Sequence, residues 1–130
     1  MLVDTSVWIQ WLRGRETPQT LMLDSLLDEA DAWFAPVILQ ELLQGARNEA
    51  NARRLRAEFA DQPMLMPSVQ THLAAGDLYA RCRWHGVTIR SPHDCLIATL
   101  AIEHQTMLLQ DDRDFARIAS MEPSLRLWCP

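Results

Sequence analysis

The sequence contains no lysine, and all 12 of its basic residues are arginine. Mechanisms that need a lysine amine are therefore excluded. The three cysteines, Cys82, Cys95 and Cys129, are odd in number, lie far apart and form no CxxC pair. No cysteine or histidine has the spacing of a zinc site. We expect the cysteines to be reduced and mostly buried thiols.

Long apolar runs and a targeting segment are also absent. No apolar stretch approaches the length of a membrane span, and no basic segment followed by an apolar one precedes the fold. We therefore expect the chain to begin at Met1, to remain in the cytoplasm and to form one domain over residues 1–130. The formal net charge of −5 argues against a protein that holds nucleic acid by bulk electrostatic attraction.

Short apolar segments alternate with amphipathic ones along the chain. Strands are predicted at LV before Asp4, at WFAP, MLM and TMLLQ, and at LRLW near the end. Helices are predicted between them, including VILQELLQGAR from Pro36 and VQTHLAAGDLYARCRWHG up to Gly86. This alternation predicts an α/β fold with a mainly parallel sheet covered on both faces. Ligands of such sheets gather outside the carboxyl ends of the strands.

Asp4 and Glu41 each allow two interpretations. Asp4 in VDTS either caps the helix that follows or contributes to a chemical site. Glu41 borders the apolar face formed by Val37 and Ile38. It is either partly exposed at the edge of that face, or buried with a partner or a metal, because a lone buried carboxylate is costly.

Asp94 and the acids near residue 112 also combine helix-start chemistry with a possible site. Ser91-Pro92-His93-Asp94 matches a cap, a proline in the first helical position and an acid in the third. The following CLIATLAI is almost wholly apolar, so this helix should be central. The acids of LLQDDRDF, which are Asp111, Asp112 and Asp114, favour a helix dipole. Three acids in four residues exceed that need and repel one another without a counter-ion.

Together these acids are expected to meet at one edge of the sheet. An oxygen-only cluster without lysine or a zinc-like ligand set suits Mg²⁺ or Mn²⁺. The chemistry expected of such a cluster is phosphodiester hydrolysis, in which metal activates a water molecule and neutralises phosphoryl charge. In that scheme one carboxylate accepts the proton from the water.

The order of VDTS, LQELLQG, SPHDCLIA and LLQDDRDF resembles the PIN-domain nucleases, and more closely the VapC toxins of type II toxin–antitoxin pairs. The match covers essentially the whole chain and is most specific in HGVTIRSPHDCLIATLAI and LLQDDRDFARIA. The resemblance implies catalytic and metal-binding roles for Asp4, Glu41, Asp94 and Asp112. It implies that Asp114 is an auxiliary acid that binds the metal directly or through water, and that Thr5 and Ser6 orient Asp4 or bind metal-bound water. Which of Asp111, Asp112 and Asp114 binds the metal directly stays open, and Asp112 is preferred.

The same resemblance implies a three-layer α/β/α fold and a Mg²⁺- or Mn²⁺-dependent endoribonuclease that acts on RNA. It further implies a homodimer and a VapB-like antitoxin whose C-terminal segment blocks the site, within a larger toxin–antitoxin complex. The alternative is a catalytically silent PIN-like domain that binds a protein partner or metal without cutting RNA. Such a domain would show a broken acid set, and here the set is complete.

An acidic protein that cuts RNA must gather positive charge locally. The candidates for contact with RNA phosphates are Arg13, Arg15, Arg90 and Arg113. A second group, Arg47, Arg53, Arg54 and Arg56, either adds phosphate contacts or forms a solvated face. Trp8 and Trp11 on the first helix either pack in the core or mark a partner surface.

Two other enzyme or signalling classes share an acidic pocket at strand ends. A receiver domain normally relies on a lysine, which this chain lacks. A haloacid-dehalogenase-like phosphatase requires Asp-x-Asp after the first strand, where this chain has Asp4-Thr5-Ser6. The sequence therefore favours the nuclease.

Overall fold

The strands of this protein are short, buried and parallel. In the computed structural model, which describes residues 1–130, β1 (Leu2–Val3) pairs with β2 (Leu108–Leu109), with Leu2 opposite Leu108. Isolated parallel bridges extend this pair: Leu2 with Trp33, Phe34 with Met64, and Leu108 with Leu127. The segments predicted as strands thus all join one parallel array. The predicted strands WFAP, MLM and LRLW form only isolated bridges, and TMLLQ is shortened to Leu108–Leu109.

Seven helices surround the array: α1 (Thr5–Leu12), α2 (Pro18–Asp28), α3 (Pro36–Gln44), α4 (Glu49–Phe59), α5 (Val69–Trp84), α6 (Pro92–Glu103) and α7 (Arg113–Met121). Their starts follow local chemistry, since Pro18, Pro36 and Pro92 each occupy the first helical turn. α5 ends two residues before Gly86, whose φ of +73° is the left-handed conformation that glycine adopts without a steric penalty.

Helices cover the sheet in two sets, as the three-layer prediction requires. α1 packs on α2 and α3, and α3 packs on α4. On the other side α5 packs along α6, and α7 contacts both. One core of 27 buried residues joins the sets through the strands. None of the seven helices combines the length and the apolar character that crossing a bilayer requires.

Trp8, in α1, is the centre of an aromatic cluster. Its side chain is 1% exposed and stacks on Phe34 with the ring centroids 4.4 Å apart. Phe59 and Trp11 meet it edge-on at 5.4 and 5.9 Å. Core packing is therefore the role of Trp8. Trp11 is only partly buried and donates its Nε1–H to Asp24.

We expect Trp8→Ala to cost about 3–5 kcal/mol of unfolding free energy, because it leaves a large cavity among aromatic neighbours. Trp84→Ala is the matched control, since Trp84 is 71% exposed and should contribute less than about 0.5 kcal/mol. Urea unfolding measures both. Equal losses would contradict the position of Trp8 at the centre of the core.

Candidate metal centre

The acidic residues predicted to form a site lie around one pocket. Because β1 and β2 are parallel, their carboxyl ends open at the same edge, where Asp4 follows one strand and Asp112 lies beyond the other. The pocket has a volume of about 270 Å³ and no hydrophobic lining residue. Its lining consists of Asp4, Thr5, Ser6, Glu41, Arg90, Ser91, Asp94, Asp112 and Asp114.

Asp4 is both a helix cap and a wall of this pocket. Its Oδ2 accepts hydrogen bonds from the Ser6 backbone N–H at 2.9 Å and from Ser6 Oγ at 2.5 Å. The neighbouring Thr5 donates its Oγ1–H to Glu41 Oε1 at 2.8 Å. The two interpretations of Asp4 are therefore not exclusive, since capping fixes the carboxylate at the pocket wall.

Asp94 lacks an internal partner. It is 8% exposed in the first turn of α6, and the Ser91 side chain makes no cap there. None of the hydrogen bonds within the pocket involves the Asp94 carboxylate. Burial raises the pKa of Asp94 to about 7, with further contributions from Asp4, Asp112, Glu41 and Asp114. The pocket thus holds more negative charge than its own donors neutralise.

The pKa of Asp4 is also raised, but by less than that of Asp94. Burial raises the pKa of Asp4 to about 6, although the Ser6 hydrogen bonds oppose the rise and the Glu41 charge adds to it.

Arg90 is the only basic residue in the lining of the pocket. Its NH2 group lies 2.8 Å from Asp112 Oδ1, and its Nε lies 3.0 Å from Asp114 Oδ2. Hydrogen bonding to Asp114 raises the pKa of Arg90 above its usual range. Asp112 also caps α7 by accepting the Asp114 backbone N–H at 2.9 Å.

Both carboxylate oxygens of Asp114 accept hydrogen bonds from arginine. It is fully buried, and one oxygen accepts both the backbone N–H and the Nε–H of Arg90. The other oxygen accepts a hydrogen bond from Arg117 Nη1 at 3.1 Å. Burial acts to raise the pKa of Asp114, but these donors outweigh it and hold the pKa below its usual range. Arg117 also donates to the Thr88 carbonyl, so Asp114 fastens the 88–90 segment to α7.

The donor chemistry of the pocket fits a hard divalent cation, although its acids are not arranged as a finished ligand set. No three His, Cys, Asp or Glu side chains stand in positions that would hold one metal ion as they are. The reason is visible in the contacts, because Glu41 and Asp112 are partly turned toward Thr5 and Arg90. The unpartnered Asp94 and the raised pKa values of Asp4 and Asp94 are features that a cation would relieve.

Some predicted residues lie outside the pocket. Asp111 is exposed and turned to Gln10, and its backbone N–H donates to Ser6 Oγ. The structure therefore places Asp112 rather than Asp111 at the pocket. Arg13, Arg15 and Arg113 are exposed and are not part of its lining.

The second arginine group also lies away from the pocket. Arg47 precedes α4, and Arg53, Arg54 and Arg56 are exposed on it.

Sequence reasoning missed two contributors. Arg117 escaped attention, although its position three residues after Asp114 on α7 is the spacing at which helical side chains pair. The sequence pattern places His93 only in a helix start. Its Nδ1 lies 3.7 Å from Glu41 Oε2, at the rim of the pocket.

Comparison with known proteins identifies a protein family that this chain matches. The family model described as PIN domain matches residues 1–121. The protein called ribonuclease VapC11 of Mycobacterium tuberculosis is 33% identical over 128 residues, which cover 94% of this chain and 96% of that protein.

Solved structures support the fold. The crystal structure of VapBC2 from Rickettsia felis, bound to a DNA fragment from its promoter, matches with a TM-score of 0.74 and 19% identity over 98% of this chain and 96% of that one. VapBC-1 from nontypeable Haemophilus influenzae matches with a TM-score of 0.74 and 21% identity over 98% and 95% of the two chains.

We expect the metal-free protein to lose stability as the pH rises from 3.8 to about 7. A carboxyl whose pKa is raised by folding contributes its full stability below its unfolded pKa, 3.8, and loses that contribution progressively until the pH passes its folded pKa, about 7 for Asp94. Asp94→Asn should therefore raise stability at pH 8 by about 1–3 kcal/mol. Thermal unfolding in EDTA measures this difference, because each kcal/mol of added stability should raise the unfolding temperature by about 4 °C.

Asp111→Asn is the control for that experiment, because Asp111 lies outside the pocket. Its unfolding temperature should follow that of the unmodified chain at each pH. An Asp94→Asn chain that is no more stable than the unmodified chain at pH 8 would contradict the electrostatic account.

Substitution of Asp112 and of Asp114 should lower the unfolding free energy by different amounts. Asp114→Asn leaves Arg90 and Arg117 without a buried carboxylate and should destabilise the metal-free protein by about 2–4 kcal/mol. Asp112→Asn should cost less than about 1 kcal/mol, because asparagine also caps helices. Denaturant unfolding distinguishes them, and similar losses would show that Asp114 has no special anchoring role.

Proposed function

This chain belongs to the PIN-domain family, and we propose that it is a Mg²⁺- or Mn²⁺-dependent endoribonuclease, the toxin of a VapBC-type toxin–antitoxin pair. The observation that carries the proposal is the acidic pocket, in which Asp94 is buried with no donor of its own. We further propose that residues 1–130 act as one PIN domain and that the protein works in the cytoplasm.

Sequence similarity supports the ribonuclease activity. The relatives that are 33% identical along 94% of this chain carry the names VapC ribonuclease and ribonuclease VapC11. The acids of the resemblance are all present in this chain, and the pocket contains each of them. A silent PIN-like binding domain, the alternative, has no specific observation in its favour.

Asp4, Glu41, Asp94 and Asp112 are the proposed ligands of the cation, and these same residues are the proposed catalytic group. When bound, the cation would activate a water molecule and neutralise charge on the phosphoryl oxygens. Asp114, saturated by Arg90 and Arg117, fits an auxiliary role that holds the pocket in shape.

The remaining pocket residues have defined tasks in this proposal. Ser6 orients the Asp4 carboxylate through two hydrogen bonds. Thr5 holds one oxygen of Glu41 and leaves the other facing the pocket rim. These contacts fix two carboxylates before any substrate arrives, which lowers the cost of organising the site.

Arg90 is the proposed contact to an RNA phosphate at the pocket. Its side chain is 57% exposed although it reaches both Asp112 and Asp114. Arg13, Arg15 and Arg113 lie on the surface and would contact phosphates farther along the strand. Contacts of this kind position RNA without distinguishing its sequence.

The proposed partners are a VapB-like antitoxin and a second copy of this chain. The solved structures with the same fold include toxin–antitoxin complexes named VapBC. Large apolar side chains are exposed on two faces of this protein: Leu12 and Leu21 on α1 and α2, and Val69 and Leu73 on α5. Two such faces fit a homodimer that also binds an antitoxin, within a larger assembly.

Cleavage of a small-RNA pool tests the activity. The unmodified protein should cut in Mg²⁺ or Mn²⁺ and not in EDTA. Asp4→Asn and Asp94→Asn should each reduce cleavage by about 100-fold or more, since even loss of an outer-shell partner costs about 10–100-fold.

Asp111→Asn is the matched control, because it makes the same chemical change at an adjacent acid outside the pocket. It should cut nearly as well as the unmodified chain. Normal cleavage by a folded Asp94→Asn protein would refute the site, and equal loss in Asp111→Asn would refute the assignment of Asp112.

A further inference from the structure

A second cleft lies beside the acidic pocket, between α3, α5 and α6. Its volume is about 530 Å³, about twice that of the acidic pocket. Its lining consists of Pro36, Val37, Gln40, Pro67, His72, Ala75, Gly76, Tyr79, Pro92, His93 and Leu96. A cleft of this size is within the range that holds small organic ligands.

The cleft adjoins the acidic pocket through two short pieces of chain. Gln40 lines the cleft, and Glu41, the next residue, lines the pocket. On α6, Pro92 and His93 line the cleft, while Asp94 lines the pocket. His93 stands between them, with Nδ1 3.7 Å from Glu41 Oε2. A ligand that occupies the acidic pocket therefore has the cleft as its immediate neighbour.

The two cavities differ in chemistry. Every lining residue of the acidic pocket is polar or charged, whereas the cleft contains no arginine, aspartate or glutamate. The cleft instead combines apolar walls, such as Leu96 and Val37, with the side chains of Gln40, His72 and His93. These groups can donate and accept hydrogen bonds at neutral charge. Tyr79 adds an aromatic ring.

We propose that this cleft receives an unpaired base of the RNA substrate, next to the phosphate that is cut; the proposal rests on the nuclease function proposed above. A nucleobase has flat apolar faces and a polar edge, which match the walls and the amide and imidazole groups of the cleft. Proteins recognise single-stranded RNA by such stacking and edge contacts. An unpaired base enters the cleft at the lower cost, because a paired base must first be unpaired and unstacked.

Gly76 offers a way to fill the cleft without touching the acids. It lies within α5, and a Cβ placed on it meets no heavy atom within 4 Å. Gly76→Leu should therefore fold, since leucine is the better helix former. Ala74→Leu is the matched control, because Ala74 is exposed on the same helix and does not line the cleft.

RNA binding is measured with Asp94→Asn as the common background, so that cleavage does not intervene. The probe is a randomised single-stranded RNA pool of about 12 nucleotides, bound in Mg²⁺, followed by sequencing of the bound fraction. Gly76→Leu should weaken binding by about fivefold or more, the loss of one stacked base. It should also erase the base enrichment that the background protein shows at one position. Ala74→Leu should keep the enrichment and bind within about twofold of the background.

Each other outcome decides between the two proposals. Unchanged affinity and enrichment in Gly76→Leu overturn the base site, and cleavage by the unmodified protein then leaves the nuclease standing. Weaker binding in Gly76→Leu, with no cleavage by the unmodified protein, supports the base site and overturns the nuclease. Light scattering provides a further check: a Gly76→Leu protein that loses self-association but binds RNA normally shows that a second copy covers the cleft, and overturns the base site.

Discussion

Mutual repulsion among carboxylates at the carboxyl ends of β1 and β2 is the constraint on which this structure depends. The parallel pairing of the strands directs Asp4 and Asp112 to the same edge, and α6 and α3 bring Asp94 and Glu41 there. Arg90 neutralises part of this charge, and Ser6 and Thr5 hold two of the acids by hydrogen bonds. Asp94 is left without a partner, and burial, together with the neighbouring carboxylates, raises its pKa to about 7. Stability is given up here, and the cation proposed above would restore it.

Local chemistry made much of the fold and most of the pocket predictable. Prolines at helix starts, Gly86 after α5 and short apolar strands all act over a few residues, so their effects are visible in the sequence. The resemblance then identified the acids that share the pocket. The three-layer arrangement follows from the same alternation of segments.

The rest depends on contacts between distant residues, which no local pattern contains. Asp111 is excluded from the pocket because Gln10 and Ser6, about a hundred residues away, hold it outside. Arg90 reaches the acids while Arg13 and Arg15 do not, although all three lie near site-forming segments. Asp114 turned out to be an anchor for Arg90 and Arg117. The cleft beside the pocket likewise depends on residues of α3, α5 and α6 that lie far apart in the sequence.

The most direct test of the central claim is calorimetric titration of Mg²⁺ into the protein at pH 7, repeated in buffers with different ionisation enthalpies. Because Asp94 is partly protonated at this pH, binding should release a proton from the unmodified protein. Asp94→Asn should bind more weakly and release fewer protons, whereas Asp111→Asn should match the unmodified chain. Binding with no proton release, or with the same release in Asp94→Asn, would contradict the claim that a cation relieves the repulsion centred on Asp94.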